Sequence, residues 1–527
     1  MFIAGLPIAI VAAILLATAP VSLTALKRDG DLPPIVEELS HRNVPYRWRA
    51  WAEASKKYGD VFRVADGSEV QVVLNSAKAA VELLDRRADI YSCRPRLVMA
   101  WQMASEELGI TFAPHGPLFR QHRRVLTPAF SSKAVRGYEG AITAETKLLL
   151  RGYLDAHKGL SIANDAPKHS HGVEEQNKTP THFLLCQKFA ASLIMRIVYG
   201  RAVSSLQDED LKTINECNER FFRLAGTRTA VDRYPFLAHI PRILSPWGRA
   251  AKACFDAEIG LFRKQLERLE LLPEEQKSGR VAQQAIELGK KYSLTRDQIA
   301  YLAGSMYGAG SETTAQAMLV ILMALALYPV YARRAQKEID DCIEAGSFPA
   351  MHDLDGSRLA FSKAIVQEAM RWRPFVASGA PHRLTKDDVY RGWRIPKGTT
   401  VFGNTHAIYH DPEVWVRPDE FLPDRHLPRS DLRREAEFSA RRTPFSFGFG
   451  RRMCPGHELA TRALEYTLVC TLWAFDVLPP SALEPQIDTC AFTDSLGSYP
   501  KPFFCHVAPR NPQSIAALEA FLERDHS

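Results

Sequence analysis

The chain predicts a mainly α-helical domain with small β-sheets, an α+β fold, behind one N-terminal transmembrane helix. Three observations carry this. Segments of helical period dominate residues 46–527, the longest running from a Thr295-x-x-Gln298 capping box to Tyr328, where Pro329 stops it. Short alternating runs punctuated by turns cluster at Val61–Leu74 and Tyr390–Val401. Residues 1–26 carry no charged side chain and end at Lys27-Arg28.

At 1.5 Å per residue, residues 1–26 cross a hydrocarbon core of about 30 Å. A cleaved signal peptide is the rival, since Ala17-Thr18-Ala19 resembles a cleavage site. Pro20 would then follow the cut directly, and no basic side chain precedes the apolar run. An uncleaved anchor fits better. Lys27 and Arg28 on its C-terminal side put the bulk of the chain in the cytosol. Residues 27–45, with Leu32-Pro33-Pro34, read as a stiff linker, and residues 46–527 as the main folded domain.

With 527 residues and 46% hydrophobic content the chain buries a large core, as one big domain or two or three ordinary ones. Net charge is +7, but 67 basic against 60 acidic residues without a clustered run excludes a nucleic-acid arm and points to an acidic protein partner. The nine cysteines are odd in number, scattered and never Cys-x-x-Cys, which excludes a disulfide framework and fits a reducing compartment.

In chain order, a helix spans Tyr46–Lys57, a hairpin turns at Asp66-Gly67, and Ser76 caps a helix to Arg87. Leu97–Phe112 mixes aromatic, Met and polar residues without a period, and reads equally as a cavity-lining or a surface loop. Phe119-Arg120-Gln121-His122-Arg123-Arg124 opens a helix to about Phe130, and residues 158–180 form a polar exposed loop. Helices follow over Phe183–Tyr199, Asp208–Leu224 and Gly248–Leu271. The Pro-broken connector Tyr234–Leu244 either dips into a bilayer surface or is a buried loop. Further helices span Tyr331–Glu344 and Leu359–Trp372, and the chain after about Ala474 reads as strand and loop.

Two stretches carry chemistry. In the longest helix Gly308-Ala309-Gly310-Ser311-Glu312-Thr313-Thr314 places two glycines that cost about 1 kcal/mol each in helix propensity. Small residues let a flat cofactor approach the backbone, and a Thr hydroxyl competes for an i−4 carbonyl and opens a groove for water. The apolar run Ala315–Leu327 is too short for a membrane and belongs in the core. The second stretch is Phe447-Gly448-Phe449-Gly450-Arg451-Arg452-Met453-Cys454-Pro455-Gly456. A Gly-rich loop with a structural cysteine is its plain reading.

Phe447, Gly450, Arg452, Cys454 and Gly456 resemble the thiolate-haem loop of the cytochromes P-450. The resemblance implies the cytochrome P-450 fold and haem b, iron protoporphyrin IX, with Cys454 as the axial iron ligand. It implies a backbone brought close to the macrocycle by glycines and a thiolate moderated by amide N–H groups. It makes Ala309, Gly310, Glu312 and Thr313 the oxygen-activation motif, Thr313 and Glu312 serving proton delivery. Propionate binding falls to Arg452, to Arg123 of a Trp-Arg-x-x-Arg pattern in which Phe119 replaces the Trp, and to His382, with Arg383 second. Glu368 and Arg371 pair with Arg425 in folding and haem retention, His426 standing where Phe is common. Phe375, Val376 and Ala377 border the substrate, the Phe492–Tyr499 turn lies near the pocket, and a helix runs from Cys454 to about Ala474 with its N-terminus facing the thiolate.

The activity so implied is monooxygenation of a lipophilic small molecule, with electrons from NADPH through NADPH-cytochrome P-450 reductase and with cytochrome b5 as a further partner. Arg441, Arg442, Arg451 and Arg452 offer basic charge to such a partner. The pattern looks like fungal enzymes of secondary metabolism, single-pass in the endoplasmic reticulum membrane. The rivals are a thiolate-haem isomerase or dehydratase and a non-catalytic haem-binding protein.

Overall fold

The computed structural model describes residues 31–527 except 41–43, 67–68, 161–178, 227–228, 429–430, 433–443 and 524–527. The 1–26 anchor, the first part of the linker, most of the polar 158–180 loop with Asn177 of its Asn177-Lys178-Thr179 glycosylation sequon, which a cytosolic body would leave unused, and Arg441 and Arg442 lie outside the described residues.

Helix α1 (Arg47–Tyr58) precedes the hairpin β1 (Val61–Asp66) and β2 (Glu69–Leu74), antiparallel with Asp66 opposite Glu69. Ser76 Oγ accepts from Ala79 N at 3.2 Å, capping the turn of helix that follows. Then come α2 (Pro117–Leu126), α3 (Glu139–His157), α4 (Thr181–Tyr199), α5 (Glu209–Gly226), α6 (Pro246–Glu270) and α7 (Val281–Lys291). The spine is α8 (Arg296–Leu327), with both halves of the Thr295/Gln298 capping box present. After α9 (Pro329–Cys342) and α10 (Ala360–Trp372) the chain makes β3 (His382–Arg383), β4 (Asp388–Tyr390), β5 (Trp393–Ile395) and β6 (Thr400–Gly403). The main sheet has the order β1-β2-β6-β3, with β6 parallel to β2, and β4 pairs with β5. Helix α11 (His457–Ala474) leads into β7 (Phe475–Leu478), which pairs with β8 (His506–Pro509), and α12 (Pro512–Glu523) closes the described chain.

Two expectations change here. The helix after the cysteine loop starts at His457 with Gly456 as its N-cap, three residues beyond Cys454. The C-terminal stretch holds α12, whose Leu518 and Leu522 are buried in the core; Pro512 enters at the first turn, where a missing N–H costs nothing. Helices α4 and α8 are long and apolar enough to cross a membrane, but 72% of each apolar window is buried inside the fold.

The glycines of α8 serve packing. A Cβ at Gly304 would lie 2.1 Å from the Phe262 ring of α6, at Gly308 2.9 Å from Asn218 Oδ1 of α5, and at Gly310 2.8 Å from Ile194 Cγ1 of α4. Three helices press onto one stretch of α8, and that burial offsets the helix-propensity cost. Gly308 and Gly310 also line a cavity, in keeping with the expectation that small residues open the backbone there, with the exposed Ala309 between them.

Candidate functional site

The cavity, about 470 Å³, lies between α8, the 445–460 segment and the 94–130 region. Its lining includes Cys454, Arg452, Arg123, His382, Phe447, Ala309 and Thr313. Seven predicted site residues thus meet around one space although they are spread over more than 300 positions of sequence. Two do not line it. Glu312 is hydrogen-bonded to Gln316, and Gly450 lies against Leu84 and Ala88.

Gly450 corrects a reading. Its φ is +51°, and a Cβ there would stand 2.3 Å from Leu84 O, so the residue must be glycine for the loop to pass the Val81–Arg86 turn. Its amide also donates to Asp85 Oδ1 at 2.6 Å. It shapes the loop and does not contact the cavity. The loop brings Cys454 N to Phe447 O at 2.8 Å, folding the cysteine back toward Phe447. Burial raises the Cys454 thiol, opposed by the Gly456 amide and the Arg123 charge. An amide donor and a cation beside the sulfur are what a bound thiolate requires.

The cations tell whether a haem fits. Arg452 Nε donates to Ser92 O at 2.7 Å and Nη2 to Ala113 O at 2.6 Å, while Nη1 is buried without a partner. Arg123 Nη1 donates to Met453 O at 3.1 Å. Arg94, buried, gives Nε to Thr111 O at 3.2 Å and Nη1 to Pro381 O. Among the described residues these hydrogen bonds all end on backbone carbonyls. Burial, with repulsion from Arg94, pushes Arg452 down to about 8, and burial pushes Arg94 down to about 10. His382 is driven to about 3 by burial and the Arg94 charge, so it is neutral, its Nδ1 against Tyr91 O at 2.8 Å. Guanidiniums gathered at the wall of a cavity, with no carboxylate hydrogen-bonded to them among the described residues, call for a buried anion. The two propionates of a haem fit that donor set.

Arg94 is the residue that sequence reasoning missed. Its signal is an Arg-Pro pair at the mouth of the unperiodic 97–112 segment, but nothing local distinguishes it from a surface arginine. Phe119, standing where the resemblance has Trp, lies under the Arg452 guanidinium, Cζ to ring centroid 3.5 Å. Arg452 is therefore internal and leaves the basic surface cluster, where exposed Arg451 pairs with Asp89.

On α8, Thr313 Oγ1 donates to Ala309 O at 2.9 Å, the predicted i−4 bond. Glu312 Oε1 accepts from Gln316 Nε2 at 2.7 Å. Burial raises the Glu312 carboxyl, the Gln316 bond opposes this, and Glu219 adds to it. Gln316 is buried at the cavity wall with its Oε1 unpartnered.

The expected carboxylate cluster stands behind the loop. Glu368 and Arg371 are fully buried on α10, Arg371 clamping the carboxylate through Nε at 2.8 Å and Nη2 at 2.9 Å. Arg425 Nε reaches Oε1 at 3.1 Å. His426 joins through Nε2 to Oε2 at 2.9 Å, so the departure from Phe supplies a further hydrogen bond. The substrate side is apolar: Phe375, Val376, Leu496 and Ser498 line it, Ala377 does not, and Phe222 packs edge-on to Phe375 at 5.4 Å. The 97–112 segment takes the cavity-lining alternative, as a wide helical turn over Val98–Met103.

A family model described as Cytochrome P450 matches residues 40–506. The chain is 32% identical over 501 residues to a cytochrome P450 monooxygenase of Postia placenta, covering 94% of this chain and 92% of that one. It is 31% identical to one of Armillaria gallica, over 90% and 88% of the two chains. A zebra fish cytochrome P450 solved with progesterone matches with a TM-score of 0.70 at 23% identity, over 89% of this chain and all of that one, a likeness of fold.

Proposed function

From the premise that the chain belongs to the cytochrome P450 family, we propose that it inserts one oxygen atom of O2 into a lipophilic small molecule of secondary metabolism, with Cys454 as the iron ligand. Monooxygenase activity and the cysteine-ligated haem, supplied with NADPH electrons through a reductase, come with the family. The observation that carries the reading for this chain is the cavity itself, where Cys454, a cluster of buried cations and Thr313 meet around an apolar space.

When bound, the haem supplies the oxidising chemistry, its iron electron-enriched by the thiolate. The protein does the rest. Arg452, Arg123, Arg94 and neutral His382 would hold the propionates. The Phe375 and Phe222 rings, packed edge-on, give the cavity an apolar wall that excludes water, and Ala309 is the exposed small residue of α8 that faces the same space. Thr313 holds a proton at Oγ1 beside the Ala309 carbonyl. Glu312, its carboxyl raised by burial, stands beside it as the proton-exchanging group, and Gln316 links it to the cavity, Nε2 donating to Glu312 Oε1 and Oε1 free for a water.

The test is spectral and stoichiometric. The reduced protein with CO is expected to show the thiolate-type Soret shift, and turnover to consume NADPH and O2 one for one with product. Product formed without NADPH would favour the isomerase reading, and haem without substrate-driven O2 uptake the non-catalytic one. For the proton path, Gln316→Leu is expected to lower product per NADPH by about tenfold or more with an unchanged CO spectrum. Unaltered coupling would remove Gln316 from it.

We also place the protein on the endoplasmic reticulum membrane through residues 1–26, with residues 46–527 in the cytosol, NADPH-cytochrome P-450 reductase as electron donor and cytochrome b5 as a second. The Tyr234–Leu244 connector supports this, since Ile243 is 81% and Leu244 70% exposed beside basic Arg242. Glycan on Asn177 in the native host would contradict that topology.

A further inference from the structure

Away from Cys454 the cavity ends in a polar cluster that neither haem binding nor proton delivery uses. Glu258 of α6, Tyr301 of α8, and Arg220 and Cys217 of α5 line it. The Tyr301 hydroxyl donates to Glu258 Oε2. The Tyr301 ring is fixed by stacking on Phe255 at 6.4 Å and by the edge contact with Phe262 at 5.3 Å. Phe262 is itself seated in the notch left by Gly304. Arg220 Nη2 donates to the Cys217 sulfur at 3.2 Å, a weak acceptor that a stronger one would displace. Burial pushes Glu258 up to about 7, against the Tyr301 bond and the Arg220 charge.

An acid and a guanidinium at one end of an apolar cavity select by charge. Once ionised, above about pH 7, Glu258 repels a carboxylate, and Arg220 repels an ammonium, whereas an uncharged oxygen is repelled by neither. A hydroxyl donates a hydrogen bond to Glu258, and a carbonyl or hydroxyl oxygen accepts one from Arg220. Eight residues of α8 separate Tyr301 from Ala309, about 12 Å of helix.

Resting on the monooxygenase reading above, we propose that Glu258, Tyr301 and Arg220 anchor an uncharged hydroxyl or carbonyl group of an otherwise apolar substrate, presenting for oxidation a carbon about 12 Å from that oxygen. The enzyme then acts on an already oxygenated molecule. A reaction that installs or retains a hydroxyl or carbonyl on the apolar skeleton must precede it.

The experiment uses the haem-loaded full chain, with the Soret spin shift as a binding readout, and four probes of equal chain length: 1-dodecanol, dodecane, dodecanoate and dodecyltrimethylammonium. The parent is expected to bind dodecanol about tenfold tighter than dodecane, consistent with one net buried hydrogen bond, and both ions more weakly than dodecanol. Tyr301→Phe is expected to erase most of the dodecanol advantage while leaving dodecane affinity in place. Glu258→Gln keeps a hydrogen-bonding group but no charge, so dodecanoate should gain about tenfold. The proposal is overturned if dodecanol binds no better than dodecane to the parent, if dodecanoate binds the parent best, or if both variants weaken dodecane and dodecanol equally. If the parent lacks the thiolate-type CO band, the monooxygenase reading falls and the proposal with it; with that band present, a failed probe ranking sinks the proposal alone.

Discussion

Glu368→Gln is expected to destabilise the fold by about 3–5 kcal/mol, the usual cost of stranding buried charge by removing its partner. The side chain keeps its size, so the effect isolates charge from packing. Both Glu368 oxygens are saturated by donors: Arg371 takes one through Nε and the other through Nη2, Arg425 Nε and the Leu422 amide share Oε1, and His426 takes Oε2. An amide group presents N–H to donors that need an acceptor, and leaves two fully buried guanidiniums without a counter-charge. The damage reaches the haem loop along a traceable line. Arg371 Nη1 holds Tyr409 O at 2.7 Å, the Tyr409 hydroxyl accepts from the Ser446 amide at 3.2 Å, and Ser446 Oγ donates to Met370 O at 2.9 Å. Chemical denaturation measures the loss, and haem content should fall with it; a loss under about 1 kcal/mol would show that the cluster is not a structural centre.

The pH dependence gives an independent check. Burial raises the Glu368 carboxyl, but the His426 bond and the Arg371 charge outweigh it and hold the group at about 2, below its ordinary 4.5. A folded value below the unfolded one means stability that is complete above about pH 4.5 and is lost as pH falls toward about 2. Parent and Glu368→Gln should therefore differ most above pH 4.5 and converge through that window. Parallel curves would contradict the assignment.

What the sequence makes legible follows from locality. The Thr295/Gln298 box, the Ser76 cap and the Thr313 bond to Ala309 are settled by residues within four positions of each other, and they stand where the pattern puts them. The cavity residues are distant in sequence, but their motif types and spacings carry them. Other features depend on what a neighbouring element brings. Gly308 and Gly310 are occupied by Asn218 and Ile194 from two other helices, and Gly450 by the Leu84 carbonyl. Arg94 becomes a cavity cation only because Pro381 and Thr111 offer it carbonyls. Helix α12 lacked any strong boundary signal beyond Pro512. The far polar end of the cavity assembles one residue or two from each of three helices, none of which is conspicuous in its own stretch.

Arg452→Ala is expected to leave the purified protein with less than about a tenth of the parent's haem, at near-parental helicity. Arg452 alone among the cavity cations has a buried N–H group, Nη1, with no protein acceptor, while its other donors fix it to Ser92 and Ala113. Those two carbonyl bonds and the Phe119 ring beneath the guanidinium aim the free N–H before any ligand arrives, so little side-chain entropy is lost on binding. Phe119 supplies no ring N–H donor of the kind a Trp would, which shifts propionate binding onto the arginine it supports. One charge-assisted hydrogen bond is worth about 1.5–3 kcal/mol, or roughly ten- to a hundredfold in affinity. The fold pays less: Ala leaves two carbonyls unpaired but also removes a charge that burial and Arg94 disfavour. Arg452→Lys keeps a charge but neither the fork nor the planar stack, and should fall between parent and Ala. Haem content by pyridine haemochromogen, read beside circular dichroism, separates cofactor loss from unfolding. If Arg452→Ala holds haem like the parent, Arg94, Arg123 and His382 suffice and the role given to Arg452 is wrong.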